Sequence, residues 1–366
     1  MWSPAPSQRP GAFLVSRLAI LDVASIAATC LALALLALFA PAALAADTLV
    51  VANKTANSVD LFDAKTGVSR ATVATGYRPH EVVVSPDGSL AVVSNYGDRE
   101  KPGASLTVVD LRTAKVARTI ELAATTQPHG LAWLAGNEIV VTAEGTKRLL
   151  VVDAAKGVIV REIETAQEIS HMVVVSSDKK RAFVTNIGSG SVSVLDLVAG
   201  TKIRDIRTGA GAEGIAMSPD GNELWVGNRA NDTIAIIDPE ALEVRAMVAC
   251  EGFPIRIAFT PDGKRVIVAA AKSGEVVLFD AKLRKEIARR KFNLATATDA
   301  AQRLFGDRFG ASTVPVGIVV APKGDRAWVA ATKADMVVVV DTKTLRVTEL
   351  VRAGKEPDGM ALARGL

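Results

Sequence analysis

Short apolar runs alternate with polar turns along most of the chain, and the pattern repeats with a period of about 42 residues. One unit, residues 212–253, reads AEGIAMSPDGNELWVGNRANDTIAIIDPEALEVRAMVACEGF. It holds an apolar run, the turn SPDG, a second run, a loop, a third run that ends in aspartate, another turn and a fourth run. Short runs bounded by Gly, Pro, Asn and Asp turns are typical of β-strands, so each unit predicts four antiparallel strands in a meander.

The third run of every unit ends in an aspartate, and these aspartates count the units. The seven are Asp63, Asp110, Asp153, Asp196, Asp238, Asp280 and Asp341. An aspartate in this place accepts hydrogen bonds from backbone amides just ahead of it and fixes a turn. We therefore interpret the set as turn residues and not as a functional constellation.

The two ends of the repeat region are incomplete in complementary ways. Residues 47–77 hold only three strands of a unit, and residues 357–366, PDGMALARGL, hold only a first strand. Pairing of the two ends would close a ring of sheets without a gap. The sequence predicts an all-β fold, a seven-bladed β-propeller of four-stranded antiparallel blades, closed by N-terminal strands plus a C-terminal innermost strand.

The first 45 residues lie outside the repeat and have the features of a secretory signal. Two arginines precede an uncharged run over residues 23–40, and small residues follow at Ala43 and Ala45. A positive segment, an apolar core and a small-residue cleavage site are typical of a signal peptide. We expect residues 1–45 to be removed and residues 46–366 to form a periplasmic or secreted propeller without a membrane span. An uncleaved membrane anchor is the alternative, because the run is nearly long enough to span a bilayer.

Composition and motifs narrow the choice of partner. The chain has 366 residues, a formal net charge of +4 spread along its length, and 4% aromatic residues. Scattered charge and few aromatic rings argue against nucleic-acid binding. The segment GAGAEG, residues 209–214, matches the dinucleotide pattern GxGxxG but leads into a strand, so no helix N-terminus meets a phosphate there. We find no nucleophile–base motif and assign no catalytic residue.

Two stretches, SPDGNELWVGNRANDTIAIID and APKGDRAWVAATKADMVVVVD, carry a family resemblance. Both resemble the YVTN repeats of YncE-like propeller proteins, and the resemblance covers about residues 47–366. It implies the propeller fold and export. Relatives include surface-layer proteins, a sugar-lactone hydrolase, haem d1-binding domains and exported proteins encoded beside quinone-dependent dehydrogenases, so the resemblance leaves the activity open.

In a propeller of this kind the first strand of each blade is innermost and lines the central channel. The residue after the motif proline enters that strand, and reading this position round the ring gives His80, His129, His171, Glu213, Ile255, Val316 and Asp358. The chain has three histidines, and all of them fall in this set. Because Asp358 belongs to the blade beside that of His80, five consecutive blades offer Asp, His, His, His and Glu at one level.

Three imidazoles with one or two carboxylates form the ligand set of a divalent metal such as zinc, iron or copper. We therefore predict a metal site at the channel mouth from His80, His129, His171, Glu213 and Asp358. Other interpretations stay open: a polar pocket for a ligand without a metal, or a wet channel mouth that binds nothing specific. One histidine could instead be an axial ligand of a haem that lies across the channel.

The link between the blades of Asp280 and Asp341 contains an insertion, residues 289–313, of about twenty extra residues. Within it, Thr298 as an N-cap and the apolar residues that follow predict a short helix. Because the segment leads into a first strand, we expect it on the histidine side, where a long loop is typical of a lid. The basic segment KLRKEIARRK overlaps its start and contains six basic residues. We interpret it as a solvated strand face, with contact to an anion as the alternative.

These features favour a binding module over an enzyme. We expect an exported, monomeric propeller that takes a small ligand or a partner protein on its channel-mouth face. The competing hypothesis is a metal- or haem-dependent enzyme or electron-transfer accessory protein that uses the same site, or an activity like that of the sugar-lactone hydrolase.

Overall fold

Seven four-stranded antiparallel sheets form a ring in this computed structural model, which describes residues 1–3, 47–303 and 305–365. The arrangement confirms the predicted all-β, seven-bladed β-propeller. Apart from its first three residues, the predicted signal peptide lies outside the described residues. Within the described ranges, no helix has the length and apolar character needed to cross a membrane.

The described residues contain twenty-eight strands, numbered β1 to β28 along the chain. In that order they are Thr48–Asn53, Ser58–Asp63, Ser69–Ala74, Pro79–Val84, Leu90–Gly97, Pro102–Asp110, Lys115–Glu121, Pro128–Trp133, Glu138–Ala143, Arg148–Asp153, Val158–Glu164, Ser170–Val175, Arg181–Asn186, Ser191–Asp196, Thr201–Arg207, Ala212–Met217, Leu224–Asn228, Thr233–Asp238, Glu243–Ala249, Pro254–Phe259, Arg265–Ala270, Glu275–Asp280, Lys285–Lys291, Pro315–Val320, Arg326–Ala331, Met336–Asp341, Val347–Arg352 and Pro357–Ala363. Blade 1 contains β28 and β1–β3, blade 2 contains β4–β7, and each later blade takes the next four strands up to β27.

The two ends of the repeat region meet in blade 1, as predicted. β28 pairs antiparallel with β1, so that Leu362 lies opposite Leu49 and Met360 lies opposite Val51. β28 also contacts β4 and β24, the inner strands of the two neighbouring blades. The ring is therefore closed by three N-terminal strands plus one C-terminal innermost strand.

The core lies between the faces of adjacent blades. Middle strands such as β18, TIAIID, are buried along nearly their whole length, whereas the outer strand β19, EVRAMVA, alternates between exposed and half-buried positions. Between blades 5 and 6, Trp225 packs edge-on against Phe259 and Phe279. Burial of a large apolar side chain contributes about 1.5–3 kcal/mol, so these inter-blade layers hold the ring together.

The recurring aspartates fix turns, as interpreted from the sequence. Asp63 accepts hydrogen bonds from the amides of Lys65 and Thr66, at 3.0 and 2.9 Å. Asp280 accepts one from the amide of Leu283. The other five aspartates each accept two backbone bonds in the same pattern as Asp63.

The insertion between blades 6 and 7 differs from the prediction at its start and in its helix. β23 continues to Lys291, so residues 289–291 belong to a strand. The predicted helix is a single 3-10 turn, Ala300–Gln302, whose N-cap is Asp299 and not Thr298. No side chain caps the turn, and Arg303 directly after it has an extended backbone. Without a cap bond, four orphan amides are left to be satisfied, so a longer helix is not favoured.

Candidate functional site

A backbone irregularity directs side chains into the channel at the start of each inner strand. The register between β4 and β5 shifts between Pro79 and Val82, and the inner strands of the other blades shift at the equivalent place. A bulge of this kind changes the direction in which a side chain points. His80, His129, His171, Glu213 and Asp358 are each the second residue of such a strand.

Glycine lets the neighbouring inner strands approach closely at this level. At Gly130 and Gly214, a Cβ atom would lie 2.5 and 2.8 Å from the carbonyl oxygens of His171 and Ile255 on the next blade. Only a residue without a side chain tolerates such an approach. The site side chains of adjacent blades are consequently brought within contact distance.

The five predicted residues form a continuous arc of contacts. His80 Nδ1 lies 3.1 Å from His129 Nε2, and the rings of His129 and His171 pack with their centroids 3.6 Å apart. His171 Nε2 lies 3.5 Å from Glu213 Oε1 at one end of the arc. His80 Nδ1 lies 3.7 Å from Asp358 Oδ2 at the other end.

A buried or partly buried cation holds each terminal carboxylate of this histidine arc. Lys54 Nζ lies 2.6 Å from Asp358 Oδ2, and both side chains are 2% exposed. The guanidinium of Arg229 forms an ion pair with Glu213. These two carboxylates are therefore already neutralised by the protein.

Glu144 and Tyr96, which the sequence analysis did not include, complete the site. Glu144 Oε1 forms a hydrogen bond and ion pair with His171 Nδ1. The phenol of Tyr96 donates a 2.8 Å hydrogen bond to Glu144 Oε2. The Tyr96 ring lies 4.4 Å from that of His80 and 5.3 Å from that of His129, centroid to centroid.

Glu144, Tyr96 and the cations Lys54 and Arg229 all occupy the same position of the repeat. In blades 1, 2, 3 and 5, the second strand has a residue that pairs with the first residue of the inner strand. The residue after it is Lys54, Tyr96, Glu144 or Arg229. Comparing this second position between the blades of the sequence would therefore have identified these four residues.

A second polar layer lies one residue further along the inner strands. Arg256, on β20, donates a 2.6 Å hydrogen bond to Glu81 on β4. Both residues are buried. Arg256 also contacts Met172 Sδ and lies 3.9 Å from Asp358 Oδ1. Since β4 and β20 belong to blades 2 and 6, this pair spans the channel.

The three imidazoles differ in protonation. Burial, together with the positive charge of Lys54, lowers the pKa of His80 well below its ordinary value. Burial and the charge of His171 do the same to the pKa of His129. Burial also opposes the charge on His171, but Glu144 and Glu213 outweigh it and raise the pKa of His171 to about 9. At neutral pH, His80 and His129 are neutral and His171 is an imidazolium.

Three side chains of the site have the geometry to hold a cation. His129, Glu144 and His171 place ligand atoms within 4.8 Å of one another. His129 is 2% exposed, and within the described part of the chain its Nδ1 has no hydrogen-bond partner. A proton on Nε2, donated to His80 Nδ1, leaves the Nδ1 lone pair free. The other three predicted ligands lie outside this group. His80 contacts His129, Glu213 contacts His171, and Asp358 contacts only His80 among the histidines.

The insertion packs over the apolar half of the channel mouth. Ile255 and Val316, which occupy the histidine position in blades 6 and 7, share one apolar cluster with Phe253 and with Phe305 and Phe309 of the insertion. This contact places the insertion on the histidine side, as expected from the direction of the chain.

Polar contacts anchor the insertion to blade 7. The guanidinium of Arg303 forms an ion pair with Asp335. Lys333 Nζ donates to the carbonyl oxygens of Gly306 and Gly310, at 2.8 and 3.1 Å. Arg303 and Lys333 are both buried, so these contacts fix described residues of the insertion to blade 7.

Comparison with known proteins supports a propeller family. Residues 134–299 match the family model of the cytochrome D1 heme domain. A solved structure of Kuenenia stuttgartiensis hydrazine synthase is similar with a TM-score of 0.64 and 22% identity, over 81% of this chain and 92% of that one. A functionally unknown protein from Desulfotomaculum acetoxidans is similar with a TM-score of 0.72 and 15% identity, over 87% and 99%. No curated protein matches the chain. At these identities the solved structures support the fold alone.

Proposed function

We propose that this protein is an exported binding module of the YVTN-repeat, YncE-like kind, whose channel mouth binds a divalent metal ion. The repeat pattern supports the family, and the signal-like first 45 residues support export to the periplasm or the cell exterior. The metal ion is zinc, copper or iron, since two imidazoles and a carboxylate suit each of them.

The observation that carries the metal proposal is the free nitrogen of His129. A buried polar atom without a partner costs about 1–3 kcal/mol, and a neutral imidazole lone pair is what a divalent metal requires. His129, Glu144 and His171 supply three ligands, and Nδ1 is the nitrogen of His129 that has no hydrogen-bond partner. Three protein ligands leave room for a further ligand at the ion.

The surrounding residues position these ligands. His80 fixes the tautomer of His129 through its ring nitrogen, and Tyr96 holds the carboxylate of Glu144. His171 carries a proton between two carboxylates, where it supplies positive charge. Coordination by His171 requires release of that proton, so metal affinity rises with pH.

Metal-dependent thermal stabilisation tests the proposal. Purified protein is stripped with chelator, and its melting temperature is measured with zinc, copper, iron or manganese. We expect an increase with at least one ion, because an ion that binds only the folded state stabilises it. His129→Gln and Glu144→Gln should abolish the increase, whereas Glu213→Gln, a neighbouring carboxylate held by Arg229, should retain it. No increase with any ion, or equal loss in all three variants, would contradict the proposal.

Haem is the second candidate, favoured by the match of residues 134–299 to the cytochrome D1 heme domain. The residues present do not fit a haem at His129. The rings of His80, Tyr96 and His171 pack directly on it, and its free nitrogen is buried. A single ion can reach this nitrogen by small side-chain shifts, but a porphyrin plane cannot. A Soret absorption band in the purified protein that is lost in His129→Gln would overturn this conclusion.

A further inference from the structure

A groove lies on the outer side of the ring, next to β23 and β27, the outermost strands of blades 6 and 7. Its volume is about 390 Å³, at the small end of ligand pockets. Its lining combines five apolar side chains with three cations and one amide: Phe292, Leu294, Val338, Val347, Leu350, Arg290, Lys291, Arg346 and Asn293.

The three cations of this groove form no direct salt bridge. Across the described ranges, Arg290, Lys291 and Arg346 take part in no ion pair, and the lining contains no acidic residue. Other arginines of the same basic segment are neutralised. Arg289 pairs with Glu275 and Glu286, and Arg284 pairs with Glu223. The lining of the groove therefore carries an excess of positive charge.

Carboxylates near the groove are already engaged elsewhere. Asp341 accepts the amides of Lys343 and Thr344 in the turn before β27. Glu275 lies 2.9 Å from Arg289. Both remain charged and offset part of the positive charge of the groove, since Glu275 lies opposite Lys291 in the sheet and Asp341 interacts electrostatically with Arg346.

The corresponding groove of blade 3 is an internal comparison. Leu150 and Val338 each lie three residues before the turn aspartate of their blade. Leu150 pairs with Glu162, and Val338 pairs with Leu350, so Glu162 and Leu350 are equivalent. In blade 3, Glu162 forms a 2.5 Å ion pair with Arg148, and the groove measures about 260 Å³.

The same position is therefore acidic in blade 3 (Glu162) and apolar in blade 7 (Leu350). In blade 3 the groove neutralises its own charge with Glu162. In blade 7 it offers Leu350, which is 46% exposed, beside Val347, which is 38% exposed. An apolar pair flanked by unpaired cations fits a partner that is both acidic and apolar.

We propose that this groove binds an extended acidic segment of a partner protein, with an apolar side chain seated against Val347 and Leu350. β23 and β27 are outermost strands, each paired on one side within its sheet, so they also offer backbone groups to an extended chain. The carboxylates of the segment pair with Arg290, Lys291 and Arg346. This binding is independent of the channel mouth.

Fluorescence anisotropy with a short fluorescein-labelled peptide of alternating Glu and Leu tests this proposal. Wild-type protein should bind the peptide, and rising salt should weaken binding because the cations are exposed. The variant Arg290→Gln/Lys291→Gln/Arg346→Gln should lose affinity by at least about tenfold. Its matched control is Lys282→Gln/Lys285→Gln/Lys343→Gln, which removes the same charge from exposed lysines outside the groove.

The apolar part of the proposal has its own control. Leu350→Ser should weaken binding with every charge intact, and a peptide of alternating Glu and Ser should bind more weakly than the Glu and Leu peptide. Equal loss in the two triple variants would show unspecific charge attraction and overturn the site. Equal binding of the two peptides would show a simple anion site and overturn the partner. Absence of binding at millimolar protein would overturn both.

Discussion

Arg256 donates a hydrogen bond to Glu81 across the central channel, over 2.6 Å, and so joins residues 175 positions apart in the chain. Burial raises the pKa of Glu81, although Arg256 opposes this effect. The carboxylate and the guanidinium are therefore each costly to bury alone, and each makes the other tolerable.

The first prediction concerns this pair. Arg256→Met should lower the free energy of unfolding by about 3–5 kcal/mol, because it leaves the buried carboxylate of Glu81 without its partner. Glu81→Leu should cost less, because Asp358 stays 3.9 Å from Arg256. The double variant should be more stable than either single variant. Urea unfolding of all four proteins gives the coupling energy directly, and strictly additive losses would show that the pair is not coupled.

The second prediction concerns closure of the ring. Deletion of residues 357–366 removes β28 and leaves Lys54, a buried amine, without Asp358. The truncated protein should unfold or aggregate, because β1 gains a free edge and Met360 no longer covers its apolar neighbours. Deletion of residues 364–366, which follow the strand, is the control and should leave the melting curve nearly unchanged. A soluble 357–366 deletion with a normal melting curve would contradict the closure.

The third prediction concerns pH. The pKa of His171 is raised from 6.5 in the unfolded chain to about 9, so its stabilising contribution is fully present below pH 6.5. That contribution is lost as the pH rises through about 9. In metal-free protein the free energy of unfolding should therefore decline over this range, and His171→Gln should decline less. A parallel decline in both proteins would show that another group is responsible.

The fourth prediction concerns the insertion. Phe309→Ala should destabilise the protein by about 3–5 kcal/mol, because the ring is buried against Phe253 in the apolar half of the mouth. It should also increase the fluorescence of a dye that binds apolar surfaces. Asp307→Asn, at an exposed position of the same loop, is the control and should change stability little. Unchanged stability in Phe309→Ala would show that the insertion is not packed on the mouth.

Repeat periodicity was sufficient to predict the fold. The four-strand units predicted the blades, and the complementary ends predicted the closure. Both depend on the local pattern of apolar runs and turns, which the sequence shows directly. The same regularity identified the histidine position, since equivalent residues on neighbouring inner strands must lie side by side. Whether that position holds a metal stays a prediction.

The rest of the site depends on contacts between different repeat positions. Glu144 reaches His171 from the turn after β9, the second strand of the preceding blade, and Lys54 reaches Asp358 from the other end of the repeat region. A single position read round the ring cannot show such pairs. The short helix predicted in the insertion is present only as one 3-10 turn, Ala300–Gln302. Sequence propensity could not show that the backbone becomes extended at Arg303, whose side chain reaches Asp335.

Because β28 completes blade 1, the strands of this blade are synthesised at opposite ends of translation. Translation produces β1–β3 before every other described strand and β28 after all of them. Until residues 357–363 emerge, β1 lacks its inner neighbour, and Lys54 and His80 lack the carboxylate of Asp358. The blade that is made first is therefore completed last. In a chain that ends before residue 357, blade 1 lacks its inner strand and the channel mouth lacks the carboxylate of Asp358.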